Sequence, residues 1–228
     1  MKYEHIMTAT FLERPNRFIA YADLNGRRVK CHVKNTGRCK ELLLPGTEIL
    51  LQHHPDAALT GRSTEYSLIS VYKETSRGKI LINMDSQAPN QAAYEWLVSQ
   101  GLSPRREVTY GASRIDLAFE ANGQFSLMEV KGVTLEENGM ARFPDAPTER
   151  GIKHLKELSQ AASQGIPSYA LFVIAMKGVR GFEANRITHP EFADALSQAA
   201  SSGVRILAFD CIITPDSMKI DKSVPVLL

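Results

Sequence analysis

The chain of 228 residues is 43% hydrophobic and 23% charged, with a formal net charge of +2. That profile fits a globular protein with ample core and excludes a disordered or fibrous one. No window approaches the roughly 20 uninterrupted apolar residues that a membrane-spanning helix needs, and MKYEHIMTATFLERPNRF at the N-terminus carries acids and no apolar signal core, so no membrane partner and a cytoplasmic location are expected.

Three cysteines, Cys31, Cys39 and Cys211, stand without CxxC spacing, and neither a disulfide framework nor a zinc ribbon follows from them. The small net charge hides an asymmetry. Met1 to Asp85 holds 13 Lys+Arg against 9 Asp+Glu, net +4, whereas Ser86 to Leu228 holds 14 against 16, net −2.

From Phe11 to Ser86 the pattern is one of closely spaced strands: Arg17 to Leu24, Arg27 to Lys34, Thr47 to His53, Tyr66 to Lys73 and Lys79 to Asp85. Turn residues at Asn25-Gly26, Pro45-Gly46, Pro55-Asp56 and Arg77-Gly78 separate them. Asn25-Gly26 supplies the positive φ angles of a type I′ hairpin. Five strands with one short helical insert, Gly37 to Leu44, predict a small all-β barrel of the OB kind over residues 1–85, a fold that binds single strands or oligosaccharides along one sheet face. Within it RRVKCHVKNTGRCK places Arg27, Arg28, Lys30, Lys34, Arg38 and Lys40 together with no acid. Such a patch attracts a polyanion, and its plainer reading is a solvated face of a strand pair.

Beyond Ser86 the texture changes, and residues 86–228 read as a second, α/β domain with a mixed central sheet. A helix follows Ala88-Pro89-Asn90, with Ser86 or Asn90 available as its cap, and ends at Gly101; it carries Ala93, Trp96 and Leu97 at helical spacing and Glu95 beside them. Ser113 to Leu135 reads as two strands joined at Asn122-Gly123. A loop from Glu136 to Thr148 leads to a helix beginning near Glu149, where Ile152, Leu155, Leu158 and Ala162 share one face and Arg150 and His154 the neighbouring one. Pro167 to Met176 and Val204 to Ile213 are apolar runs expected to be buried strands. An amphipathic helix from His189 to Ser202 separates them, and Ser217 to Ile220 adds an edge.

The chemistry concentrates on the Ser113 to Leu135 hairpin. Asp116 interrupts an apolar run, and Glu129 and Lys131, two apart on a strand, leave the same face. Two carboxylates offer the hard oxygen ligands that Mg2+ or Mn2+ takes, with water and a substrate phosphate completing the shell. A lysine beside them can orient a metal-bound water and offset charge on the phosphate. The plainer reading of the same spacing is an ion pair at a sheet end.

NTGRCKELLLPG (Asn35 to Gly46), MDSQAPN (Met84 to Asn90), YGASRIDLAFE (Tyr110 to Glu120), MEVKGVTL (Met128 to Leu135) and FPDAPTERGIKHLKEL (Phe143 to Leu158) together resemble the sugar fermentation stimulation protein A family over nearly the whole chain. The resemblance implies an OB-like domain followed by a PD-(D/E)XK nuclease-like domain, and DNA as partner. It makes Asp116 and Glu129 the metal-binding acids, Lys131 the lysine of the (D/E)xK pair and Glu95 the helix acid. Arg150, Lys153 and His154 fall where relatives place groups that touch phosphate or metal. Asp145 is a weaker candidate that could instead cap the helix. Ile115 stands where the motif has proline, a change of backbone preference that removes no ligand. Two functions stay open at this point: a Mg2+- or Mn2+-dependent nuclease, and a DNA-binding regulator of maltose and related sugar metabolism that uses the nuclease fold only for binding. An oligosaccharide-binding module is a third reading, allowed by the barrel and unsupported by the basic patch.

Overall fold

In this computed structural model residues 1–35, 37–111 and 113–228 are described. Thr36 in the Asn35 to Gly46 motif and Ala112 in the Tyr110 to Glu120 motif lie outside them. The first six strands are β1 (Ile6–Glu13), β2 (Ile19–Leu24), β3 (Arg27–Val33), β4 (Glu48–His53), β5 (Tyr66–Thr75) and β6 (Gly78–Asn83). They pair in the order β3-β2-β1-β4-β5-β6, and β3 also pairs in parallel with β5, matching Cys31 to Tyr66 and Val33 to Leu68. That extra pairing closes a five-stranded barrel, which removes its sheet edges. Alternation fills it: Ala20, Ala22, Val29, Cys31, Val33, Ile49, Leu51 and Leu68 are all buried.

Strand β1 is the barrel member that local pattern does not announce. Gly37 to Leu44, expected as a short helix, is a turn in which Leu42 and Leu43 N–H both donate to the Cys39 carbonyl. Its shape is imposed from outside by Arg14, whose guanidinium donates to the carbonyls of Arg17, Asn35, Gly37 and Arg38.

The second domain begins with α1 (Ala88–Ser99) and continues with β7 (Arg105–Tyr110), β8 (Ser113–Ala121), β9 (Gln124–Val133), β10 (Leu135–Glu137), β11 (Met140–Phe143) and α2 (Glu149–Ser163). It ends with β12 (Ser168–Ile174), β13 (Gly181–Ala184), α3 (Pro190–Ser201), β14 (Arg205–Thr214), β15 (Ser217–Ser223) and β16 (Val226–Leu227). The central mixed sheet has the order β15-β14-β12-β9-β8-β7, with β12 parallel to both neighbours. Helix α1 covers one face, where Ala93 and Leu97 meet Met128, Val130, Leu171 and Val173. Helices α2 and α3 cover the other, where Leu155, Leu158 and Leu196 join Leu127, Phe172 and Ile174. Part of the expected Glu136 to Thr148 loop is strand: β10 and β11 form a small sheet with β13 and β16. Thr148, not Asp145, caps α2, its hydroxyl accepting from Gly151 N–H at 3.1 Å. No helix among the described residues is long and apolar enough to cross a membrane.

Two ion pairs with buried carboxylates lie where the domains meet. Lys34 Nζ, from the end of β3, lies 2.6 Å from Asp85 Oδ2 at the domain junction. Lys73 on β5 reaches Glu136 Oε2 on β10 at 2.7 Å, and Gly139 N–H donates to the other carboxylate oxygen. Burial alone would raise Glu136, but the hydrogen bond from Lys73, the Gly139 N–H and the lysine charge outweigh it and hold the carboxyl below its usual range. A carboxyl depressed in the folded state stabilises the fold above the unfolded value and loses that contribution as pH falls through the folded value. Glu136→Gln is therefore expected to lose about 2 kcal/mol of stability at pH 7, and the gap to wild type should close as pH falls into the acid range. Chemical denaturation of both proteins at neutral and acid pH checks this; a gap independent of pH would assign the loss to packing.

Candidate active site

The site lies where β8 and β9 separate. Their antiparallel pairing runs from Ala121–Gln124 to Leu117–Met128 and stops, which leaves the Val130 N–H without a strand partner on that side. Asp116 takes it: Oδ2 accepts from Val130 N–H at 2.8 Å, and Oδ1 accepts from Asn90 Nδ2 at 2.9 Å. Glu129 and Lys131 leave β9 on the face toward α2, as strand alternation requires.

Lys131 Nζ donates to Glu129 Oε1 at 2.6 Å, and His154 Nδ1 contacts the same oxygen. Arg150 Nε donates to His154 Nε2 at 3.3 Å. Because that nitrogen accepts, the network assigns the imidazole proton to Nδ1, which donates to Glu129. Glu129 Oε2 is the exception: it is buried and has no hydrogen-bond partner among the described residues.

The environment drives the two acids in opposite directions. Burial, and then the negative charge of Glu129, push Asp116 above the ordinary carboxylate range, opposed by Val130 N–H, Lys131 and Asn90. Burial also acts to raise Glu129, but the His154 hydrogen bond and the charge of Lys131 outweigh it and hold that acid below the range. Divergent environments for two neighbouring acids are typical of a functional site.

A buried carboxylate oxygen without a donor is costly unless something absent from the protein meets it. The donor set here is hard oxygen, which suits a divalent cation. Among the described residues no group of three or more His, Cys, Asp or Glu side chains forms a ready-made cage.

Glu95 is not part of this group. Its Oε1 accepts from Gln91 at 2.6 Å and its Oε2 meets the Met1 ammonium at 2.5 Å. It borders the same cavity of about 960 Å³ as Asp116, together with Lys34, Asp85 and Asn90. His154 is buried against Glu129, whereas Arg150 is exposed at the start of α2. Lys153 points outward, 3.8 Å from Glu157.

The six-cation patch is divided among three places. Arg27, Arg28 and Lys30 are exposed on the β2–β3 hairpin, where Arg28 pairs with Glu13 and lies 4.3 Å from the Tyr21 ring. Lys34 is at the domain junction. Arg38 and Lys40, with Arg14 and Arg17, rim a second cavity of about 450 Å³ floored by Phe11, Leu43 and Pro45. Arg14 and Arg17 lie outside the Arg27 to Lys40 run, and only the fold brings them there. Asn90, read from the sequence as a candidate cap, instead has its side chain on Asp116 while Gln87 occupies the cap position.

A closed OB barrel ahead of a mixed-sheet α/β domain defines a two-domain architecture. Family models bear this out in register: the SfsA N-terminal OB domain matches residues 12–83, and the sugar fermentation stimulation protein RE domain matches residues 87–217. The chain belongs to the sugar fermentation stimulation protein family. It is 50% identical over 232 residues to a sugar fermentation stimulation protein homolog of Desulfitobacterium hafniense strain Y51, covering 100% of this chain and 99% of that protein. The homolog of Clostridium beijerinckii is 46% identical over 233 residues, with both chains fully covered. Among solved structures, SfsA of Pyrococcus furiosus in complex with Ca2+ superimposes with a TM-score of 0.86 at 25% identity, covering 100% of this chain and 98% of that one.

Proposed function

We propose that the protein is a divalent-metal-dependent nuclease acting on DNA, with Asp116 and Glu129 as the residues that hold the cation. The observation that carries this reading is the buried Glu129 Oε2 beside Asp116, without a hydrogen-bond partner among the described residues. The Pyrococcus furiosus relative solved with Ca2+ supports a divalent site at this fold; Mg2+ or Mn2+ is the proposed working ion. Such an ion supplies a polarised phosphoryl oxygen and an activated water.

The chain's own groups do the rest. Lys131 holds the attacking water and offsets charge gathering on the phosphate. His154 fixes Glu129 by its Nδ1–H, and Arg150, exposed above it, offers a guanidinium to a neighbouring phosphate. The cationic rim formed by Arg17, Arg38 and Lys40 grips the strand electrostatically. Three free and buried cysteines suit a reducing, cytoplasmic setting; burial pushes the Cys31 and Cys39 thiols up to about 12, so they are unreactive.

The test is incubation of purified protein with single-stranded and duplex DNA in EDTA, Mg2+ or Mn2+. Strand scission with either metal and none in EDTA is the expected result. Absence of scission with both metals on both substrates overturns the nuclease reading, and DNA retention in that case supports the binding-only one. In EDTA, affinity should fall steeply with salt, since phosphate contacts release counterions; a flat response would remove the cationic rim as the grip.

A further inference from the structure

We infer that Asn90, in the first turn of α1, is the positioning residue of the cation site, holding the Asp116 carboxylate in its ligand orientation through the Asn90 Nδ2 to Asp116 Oδ1 hydrogen bond. The inference rests on the reading of Asp116 and Glu129 as metal-holding acids, and it assigns to α1 a part that sequence logic gives to Glu95.

Two observations carry it. First, Asp116 is fixed from two elements at once. The Val130 N–H, on the strand that bears Glu129 and Lys131, takes Oδ2, and Asn90, on the helix, takes Oδ1. A carboxylate gripped on both oxygens cannot rotate, and each oxygen has a further lone pair for a cation.

Second, the helix is brought to this position by a contact next to the site. The Pro89 ring lies so close over Gly132 that a Cβ there would stand 2.6 Å from Pro89 Cγ. Gly132 follows Lys131, so the strand presenting the chemistry is also the strand on which the first turn of α1 rests. The side chain of Asn90 serves no capping function: the cap position is Gln87, without a side-chain hydrogen bond. Glu95, one turn and a half further along the same helix, is neutralised by the Met1 ammonium.

The test is cation affinity of the metal-free protein, by calorimetry with Mn2+ and with Ca2+ in the absence of DNA. Asn90→Ala should weaken affinity on the order of 10- to 100-fold, the usual effect of removing a group that orients a ligand. Its metal-free melting temperature and the emission of Trp96, the single tryptophan, on the same helix, should stay at wild-type values. Asn90→Leu, near-isosteric and without a donor, should reproduce the loss and provides the measurement if the alanine variant folds poorly. Wild-type affinity in both variants overturns the role of Asn90 and leaves the acids as ligands. Failure of the wild-type protein to bind either ion overturns the metal reading itself.

Discussion

Lys131→Ala is expected to lower metal-dependent DNA cleavage by about a hundred- to ten-thousand-fold, the range over which a positioned proton-handling or charge-stabilising group contributes, while DNA affinity in EDTA stays at the wild-type value. The separation follows from where the lysine sits. Its ammonium is mostly buried against Glu129 Oε1 and beside His154. The cations that rim the barrel cavity belong to the other domain, so removal of one buried charge at the strand end leaves the electrostatic grip intact. Lys131→Arg should not restore the rate. A planar guanidinium keeps the charge but cannot occupy the compact position of an ammonium 2.6 Å from Glu129. Gel analysis of cleavage products and fluorescence anisotropy of the same oligonucleotide, each across Mn2+ concentration, separate rate from binding. Cleavage that persists in Lys131→Ala would remove Lys131 from the chemistry, and lost binding in EDTA would place the lysine in the grip instead.

The parts of the site legible in the sequence are those fixed by neighbours along the strand. Glu129 and Lys131 share a face because strand side chains alternate, and Asp116 stands out because a charge interrupts an apolar run. Glu95 could not be read the same way. Its direction depends on the Met1 ammonium, 94 residues away in sequence, and no local pattern encodes that. Arg14 and Arg17 join Arg38 and Lys40 only after the chain between them has folded as a hairpin, whereas Arg27 to Lys34, contiguous in sequence, separate because β3 carries them from an exposed hairpin to the domain junction. Among the strands, β1 escapes notice because its inward positions include small Ala9 beside Phe11. The short strands β10, β11, β13 and β16 have no periodicity long enough to read and exist through pairing across distant segments.

Gly132→Ala tests whether α1 and β9 act as one unit. The backbone at Gly132 is not in the left-handed region, so alanine is excluded there by its neighbour alone, the ring of Pro89 at 2.6 Å from the added carbon. A proline ring closed on its own backbone cannot rotate aside, and α1 must lift. Overpacking of this kind costs about 1–3 kcal/mol, a fall in melting temperature of roughly 2–12 °C for a chain of this size. Lifting the first turn also draws Asn90 away from Asp116, so cation affinity should fall along with stability. The second substitution that relieves the clash decides the cause. Pro89→Ala removes the Cγ that an alanine at 132 would strike and leaves the ring's Cβ position, 3.4 Å away, as an ordinary contact. Gly132→Ala with Pro89→Ala should therefore recover most of the stability and the cation affinity lost in Gly132→Ala alone, a coupling that a double-mutant cycle reads directly. Additive losses would mean that the glycine answers to some other neighbour. Recovery of stability without affinity would mean that the helix can return while Asn90 does not govern Asp116.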